Sequence, residues 1–145
     1  MNISIQIVLT AIVTLIIVQT IKLTTDGIKG NYNLKSIMSV YGGMPSSHTA
    51  TVTSLTTLVG YYAGVESVSF GIAIIFSAIV IIDAMMFRGY VDHNSLALKK
   101  LVDKLSDADK ENMHPIVTKL KHTPLQVFVG ALIGFTIGTL SHLVF

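Results

Sequence analysis

The chain has 145 residues and a formal net charge of +2, and only 12% of its residues are charged, against about 25% in an ordinary soluble domain. Its mean hydropathy of +0.68 excludes a disordered tail and argues against a soluble globular domain. The small net charge gives no sign of nucleic-acid binding, and a chain without cysteine has neither a disulfide nor a thiolate site. We therefore interpret residues 1–145 as a single membrane domain.

Four stretches of the chain contain no charged residue, and they are Met1–Ile21, Thr49–Val65, Ser67–Ile82 and Thr123–Phe145. Because about 20 largely apolar residues span a bilayer, we predict four transmembrane helices, at about residues 2–21, 46–65, 67–87 and 123–144. The second stretch is rich in serine and threonine, so its helix is expected to pack inside the bundle. The predicted fold is all-α, an integral membrane bundle of about four helices.

Glycine recurs every fourth residue in the last predicted span, at Gly130, Gly134 and Gly138, and again near the end of the second, at Gly60 and Gly64. Stripes of small residues allow helix backbones to approach closely in a membrane. We expect both stripes to be packing surfaces rather than ligand sites.

All ten basic residues lie in the two connections that share one side of a four-span bundle, at Lys22, Lys29, Lys35, Arg88, Lys99, Lys100, Lys104, Lys110, Lys119 and Lys121. The positive-inside rule predicts that this side is cytoplasmic, with both termini outside and the cell membrane as the location. The connection 88–121 is the soluble loop. Apolar residues at helical spacing between Leu96 and Leu105 predict an amphipathic helix there, which would contact membrane lipids. Ser106 is expected to cap a further helix that Pro115 interrupts.

Candidate functional residues cluster at the helix ends on this same side. They are Lys22 at the end of the first span, Gly-Gly-Met-Pro-Ser-Ser-His (42–48) before the second, Asp83 and Arg88 at the end of the third, and His122-Thr123-Pro124-Leu125-Gln126 before the fourth. Ionisable groups at membrane depth are costly and usually functional. Two cations, two histidines and one carboxylate at one face are hard to explain by packing alone.

The predicted N-termini of the second and fourth helices both have features that favour binding of an anion. Ser46 or Ser47 is a natural N-cap, and free N–H groups with the helix dipole favour a phosphate beside His48. Thr123 fits an N-cap with Gln126 completing a capping box, so Gln126 has a structural explanation. An ordinary capped helix start is the alternative at each position.

Arg88 is the only arginine in the sequence, and a guanidinium suits bidentate phosphate recognition, while Lys22 adds a point charge. Both could instead be anchors at the membrane interface. Asp83 could orient a histidine or pair with Arg88. Asp92 and His93 lack a third ligand, so we predict no metal site.

These groups suit phosphoryl transfer from a lipid, with cations and helix N-termini holding the phosphate, one histidine attacking phosphorus and the other protonating the leaving group. The order of motifs from about Gln19 to Gly138 resembles the divergent branch of the type 2 phosphatidic acid phosphatase superfamily. That resemblance implies metal-independent hydrolysis of a lipid phosphate or diphosphate through a phosphohistidine, with no cofactor. Carried over by position, His122 matches the nucleophile, His48 the acid, Lys22 the first-motif lysine and Arg88 a phosphate-binding arginine. The predicted catalytic residues are His122, His48 and Asp83, and the predicted substrate-binding residues are Lys22, Ser46, Ser47, Arg88 and Thr123.

This sequence departs from that branch at the third motif, where Lys121 replaces a common glycine and Gln126 a common acidic residue. An alternative function is therefore a non-catalytic membrane protein that binds anionic lipid or phosphate at the same cationic face. A small transporter is a third hypothesis, for which the chain is short unless it forms a homodimer.

Overall fold

The computed structural model describes residues 2–25, 43–106, 113, 116–118 and 120–145. Within these residues the chain is helical and contains no strand, which confirms the all-α prediction. The helices are α1 (Ile3–Thr25), α2 (Ser47–Ala63), α3 (Val68–Ile82), α4 (Arg88–Val102) and α5 (Pro124–Val144), and a π-helical segment, Asp83–Phe87, joins α3 to α4 without a break. Predictions that lie outside the described residues concern Gly42, Lys29, Lys35, Lys110, Lys119, the helix expected after Ser106, and Pro115.

Three stretches of the described chain are long and apolar enough to cross a membrane, namely Ile3–Lys22, Val68–Val102 and Pro124–Val144. α2 has 17 residues and is richer in hydroxyl side chains, so a fourth span stays a prediction. The stretch Val68–Val102 has 35 residues, which as a helix is about 50 Å long and exceeds the roughly 30 Å hydrocarbon core. The helix of the third predicted span therefore does not end at Phe87, because α4 continues it to Val102 and makes it longer than the hydrocarbon core.

α1 carries one line of buried polar side chains on an otherwise lipid-facing surface. Gln6, Thr10, Thr14 and Lys22 are all buried and recur at multiples of four residues, so they form a buried stripe that winds slowly around the helix. The apolar residues between them are largely exposed, as expected when lipid rather than water covers the outside. This line leads along α1 to Lys22, at the end where the candidate residues lie.

α2 is the central helix, because it contacts α1, α3 and α5. Its hydroxyl side chains face these neighbours; Thr56 Oγ1, for example, lies 2.8 Å from Ser77 Oγ on α3. This position confirms the prediction that the polar second helix packs inside the bundle.

The glycine stripe of α5 packs against α2 as predicted. Gly130, Gly134 and Gly138 are buried, and a Cβ added at each would collide with the backbone carbonyl of Ser46, Ala50 or Ser54 on α2. For the second stripe, the prediction of a packing surface is confirmed at Gly60 but is wrong at Gly64. A Cβ at Gly60 would lie 3.0 Å from the Phe70 ring, whereas one at Gly64 would have nothing within 4 Å. Gly64 instead ends α2 with a φ of +84°, a conformation that favours glycine.

Candidate functional site

The starts of α2 and α5 lie side by side. Ser46 is the N-cap of α2, and its Oγ accepts a hydrogen bond of 3.4 Å from the Thr49 N–H. Gly43 has a φ of +75°, which a glycine adopts readily, as the chain turns toward this cap. The Ser46 N–H donates to the Gln126 carbonyl at 3.1 Å, so the two helix N-termini are joined directly.

α5 begins with the predicted capping box. The Thr123 Oγ1 accepts from the Gln126 N–H at 3.3 Å, and the Gln126 Oε1 accepts from the Thr123 N–H at 2.8 Å. Pro124 occupies the first helical turn, where its missing N–H costs nothing. The Thr123 hydroxyl is thereby used in the cap, and the Gln126 amide oxygen is also occupied.

Lys22 reaches this cluster from α1. Its side chain is 1% exposed, and its Nζ lies 3.5 Å from the Ser47 Oγ in the first turn of α2. Ser46 and Ser47 are buried as well. An ammonium group thus sits among hydroxyls beside a helix N-terminus, where the dipole is also positive. Such an arrangement favours a bound anion.

Arg88 links the end of the π-helical segment to α2. Its Nε donates to the Asp83 Oδ2 at 3.1 Å, and its Nη2 lies 3.4 Å from the His48 Nε2. Of the two roles left open for Asp83, the geometry therefore favours pairing with Arg88. The Arg88 N–H bonds to the Asp83 carbonyl five residues earlier, as in a π-helix, a feature common at functional sites. A cavity of about 380 Å³ lies here, lined by His48, Arg88, Val117 and Leu120.

Among the described ionisable groups, His122 and Lys22 are the most deeply buried. His122 is 1% exposed, and neither ring nitrogen forms a hydrogen bond of normal geometry with any described residue. Burial is the main cause that lowers the pKa of His122 to about 4, and the Lys22 cation adds to it; the Gln126 side chain acts in the opposite direction. The ring is therefore neutral near pH 7, the form in which a histidine nitrogen is nucleophilic.

Asp92 is a residue of this region whose role the sequence does not reveal. Its Oδ1 accepts from the Leu120 N–H at 2.7 Å and its Oδ2 from the Lys121 N–H at 2.9 Å. The only signal in the sequence is the position of Asp92 one helical turn after Arg88, on the same face of α4.

Among the described residues, no three histidines or acids group closely enough to hold a metal.

The structure thus brings together Lys22, Ser46, Ser47, His48, Asp83, Arg88, His122 and Thr123 at one end of the bundle. The His122 N–H also donates to the Ala84 carbonyl in the π-helical segment at 3.0 Å, which ties the start of α5 to the end of α3.

A separate cavity of about 610 Å³ lies between α2 and α3 and extends to Phe135 of α5. Its lining is mainly apolar, and Thr53 and Ile81 mark the end nearest the cluster.

Comparison with protein families matches residues 3–137 to the family described as "Divergent PAP2 family". The chain belongs to the divergent PAP2 family. A relative in Bacillus subtilis (strain 168), described as "Uncharacterized membrane protein YuiD", is 32% identical over 137 residues, covering 87% of each chain. No solved structure matches. With its three candidate spans, this member of the divergent PAP2 family is a multi-pass membrane protein.

Proposed function

We propose that this protein is a membrane-embedded phosphatase that hydrolyses a lipid phosphate or diphosphate through a phosphohistidine on His122. The observation that carries the proposal is the buried His122 ring, whose nitrogens form no hydrogen bond of normal geometry with any described residue and which lies within the electrostatic influence of Lys22 and Arg88. A structural histidine buried to this extent would satisfy at least one nitrogen. A histidine that acts as a nucleophile, by contrast, needs a ring nitrogen that no protein group occupies.

The first chemical step forms a bond between a His122 ring nitrogen and phosphorus and breaks the bond from phosphorus to the ester oxygen. The leaving oxygen takes a proton from His48, which acts as the general acid of this step. Arg88, Lys22 and the N-terminal N–H groups of α2 stabilise the charge on the phosphoryl oxygens. Water then attacks phosphorus, gives a proton to His48 and releases phosphate, restoring the His122 ring.

The location of the cluster favours a lipid as the substrate. The residues lie at the ends of helices, where a headgroup meets the membrane, and the mainly apolar 610 Å³ cavity between α2 and α3 could hold an acyl or isoprenoid chain. The distribution of lysines favours the cytoplasmic face of the cell membrane for this site, with both termini outside.

The test is phosphate release by the purified protein in liposomes that contain phosphatidic acid, phosphatidylglycerol phosphate or a polyprenyl diphosphate, with EDTA present. We expect release with at least one of these lipids, and we expect His122→Ala and His48→Ala to abolish it. His93→Ala, which removes an exposed histidine from α4, is the matched control and should retain activity. Transfer of labelled phosphate to the protein should give an acid-labile adduct that His122→Ala lacks. Unchanged release by His122→Ala would disprove the mechanism.

A second candidate function, binding of anionic lipid or phosphate without catalysis, is favoured by one observation. The Gln126 amide oxygen is used by the capping box and the Asp83 carboxylate pairs with Arg88, so no described carboxylate bonds to the His122 ring. A binding protein would show no release with any lipid in the panel. Its affinity for phosphatidic acid vesicles would survive loss of both His48 and His122 but fail in Arg88→Ala.

A further inference from the structure

Three consecutive backbone N–H groups before α5 are held by one neighbouring helical stretch. We call Leu120–His122 the strap. Asp92 on α4 accepts the Leu120 N–H at 2.7 Å through Oδ1 and the Lys121 N–H at 2.9 Å through Oδ2. The Ala84 carbonyl in the π-helical segment accepts the third, from His122, at 3.0 Å. The strap is not helical, so these N–H groups have no partner within their own element and depend on this stretch.

The strap carries two parts of the site. Leu120 lines the 380 Å³ cavity together with His48 and Arg88, and His122 follows Lys121 directly. The position of the strap therefore determines both the position of the cavity wall at Leu120 and the position of the His122 ring. Hydrogen bonds from backbone N–H groups to a carboxylate are about twice as strong as neutral ones, so Asp92 is the dominant restraint on Leu120 and Lys121.

The two acids near the site have separate partners. Asp83 bonds to Arg88 at 3.1 Å, whereas both oxygens of Asp92 are directed to the strap. Gly89, one helical turn before His93, has no side chain, and the Lys121 aliphatic stem lies in that space, 3.2 Å from where a Cβ would be. The strap is thus seated on α4 by a side-chain contact in addition to the carboxylate bonds.

We infer that Asp92 is a positioning residue, whose carboxylate fixes the strap so that His122 and the cavity wall face His48 and Arg88. The consequence for turnover rests on the proposed function, but the consequence for the position of the strap does not. Asp92 thus orients the strap without contacting the substrate, as a carboxylate that bonds to a metal-binding histidine orients that histidine without contacting the metal.

The test compares Asp92→Asn with the charge-matched control Glu66→Gln, which removes one negative charge from the exposed turn between α2 and α3. The asparagine amide offers one acceptor and one NH₂, so one strap N–H loses its partner. We expect amide hydrogen exchange at Leu120 and Lys121 to accelerate about 10- to 100-fold in Asp92→Asn. Asp92→Glu, which keeps the carboxylate, should recover most of the protection.

A second readout follows the His122 ring by nuclear magnetic resonance as the pH changes. In Asp92→Asn we expect the pKa of His122 to rise from about 4 toward its ordinary value, because a loosened strap admits water to the ring. In an active enzyme the kcat should fall about 10- to 100-fold with KM nearly unchanged. Glu66→Gln should match the wild type in all three measurements.

Unchanged exchange at Leu120 and Lys121 in Asp92→Asn would overturn the inference. Faster exchange with an unchanged His122 titration would overturn it too, because the strap would then not control the ring. Both readouts are independent of turnover. An inactive wild-type protein would therefore disprove the proposed function, while the exchange and titration results would still decide the role of Asp92.

Discussion

The contact between Gly130 and the Ser46 carbonyl joins helix packing to the candidate site, and an alanine at position 130 tests it. A Cβ at Gly130 would lie 2.5 Å from the Ser46 carbonyl oxygen, whereas ordinary van der Waals contacts begin at 3.4 Å. The helices must therefore separate by about 0.9 Å at this point. The carbonyl cannot rotate away freely, because it also accepts the Ala50 N–H at 3.1 Å in the first turn of α2.

This displacement should affect both stability and the site. Overpacking of this kind typically costs about 1–3 kcal/mol, and a shift of about 1 Å in a catalytic group costs about 100-fold in rate. We therefore expect Gly130→Ala to lower the unfolding temperature in detergent and to reduce lipid phosphate hydrolysis by roughly two orders of magnitude.

Gly71→Ala is the matched control, because a Cβ at that α3 position would have nothing within 4 Å. This variant should unfold at or above the wild-type temperature, since alanine favours a helix by about 1 kcal/mol over glycine, and its activity should be normal. Equal unfolding temperatures and equal rates for the two variants would refute the packing argument and the claim that it positions α2.

Three further predictions concern protonation, the apolar cavity and the ion pair. Because the pKa of His122 is about 4 when folded and 6.5 when unfolded, the stability that its neutral form contributes is complete above pH 6.5 and is lost as the pH falls to about 4; thermal unfolding should show this loss in wild type but not in His122→Gln. Ala78→Phe, which places a ring inside the 610 Å³ cavity and obstructs part of it, should lower kcat/KM for a long-chain lipid phosphate about tenfold while leaving a short-chain substrate unaffected. Asp83→Ala should lower kcat/KM at least tenfold in the same assay, because Arg88 loses the 3.1 Å bond that orients it, and Glu66→Ala in the exposed turn between α2 and α3 should not.

The features that the sequence predicted well depend on local rules. The capping box at Thr123 and Gln126 needs only residues three apart, and the α5 glycine stripe needs only a period of four. The buried line of Gln6, Thr10 and Thr14 follows the same period and could have been found by marking polar positions in the first span. Helix ends were harder, because the π-helical segment continues α3 into α4 where the charge pattern predicts a boundary.

Asp92 shows why the remainder of the site was not predictable. Its partners are backbone N–H groups 28 and 29 residues later, and backbone groups leave no mark on a sequence. The sequence instead suggested a comparison of Asp92 with its neighbour His93 as metal ligands. The assignment of Asp83 to Arg88 rather than to a histidine likewise depends on where a π turn places the arginine, which residue spacing alone does not give.

The charge balance of the site separates capture of a phosphate from its transfer. Lys22 and Arg88 supply two cations and Asp83 one carboxylate, so these three groups together are net positive and favour an anion under either proposed function. Under the proposed phosphatase function transfer needs more, because His122 would gain positive charge as its nitrogen attacks phosphorus, and a carboxylate on the opposite nitrogen would stabilise that charge. Gln126 offers a neutral amide whose oxygen already accepts the Thr123 N–H. Among the described residues no carboxylate bonds to the His122 ring, so under this proposal the negative charge of the bound phosphate is left to stabilise the ring, and the neutral Gln126 side chain affects the rate of transfer rather than the capture of phosphate.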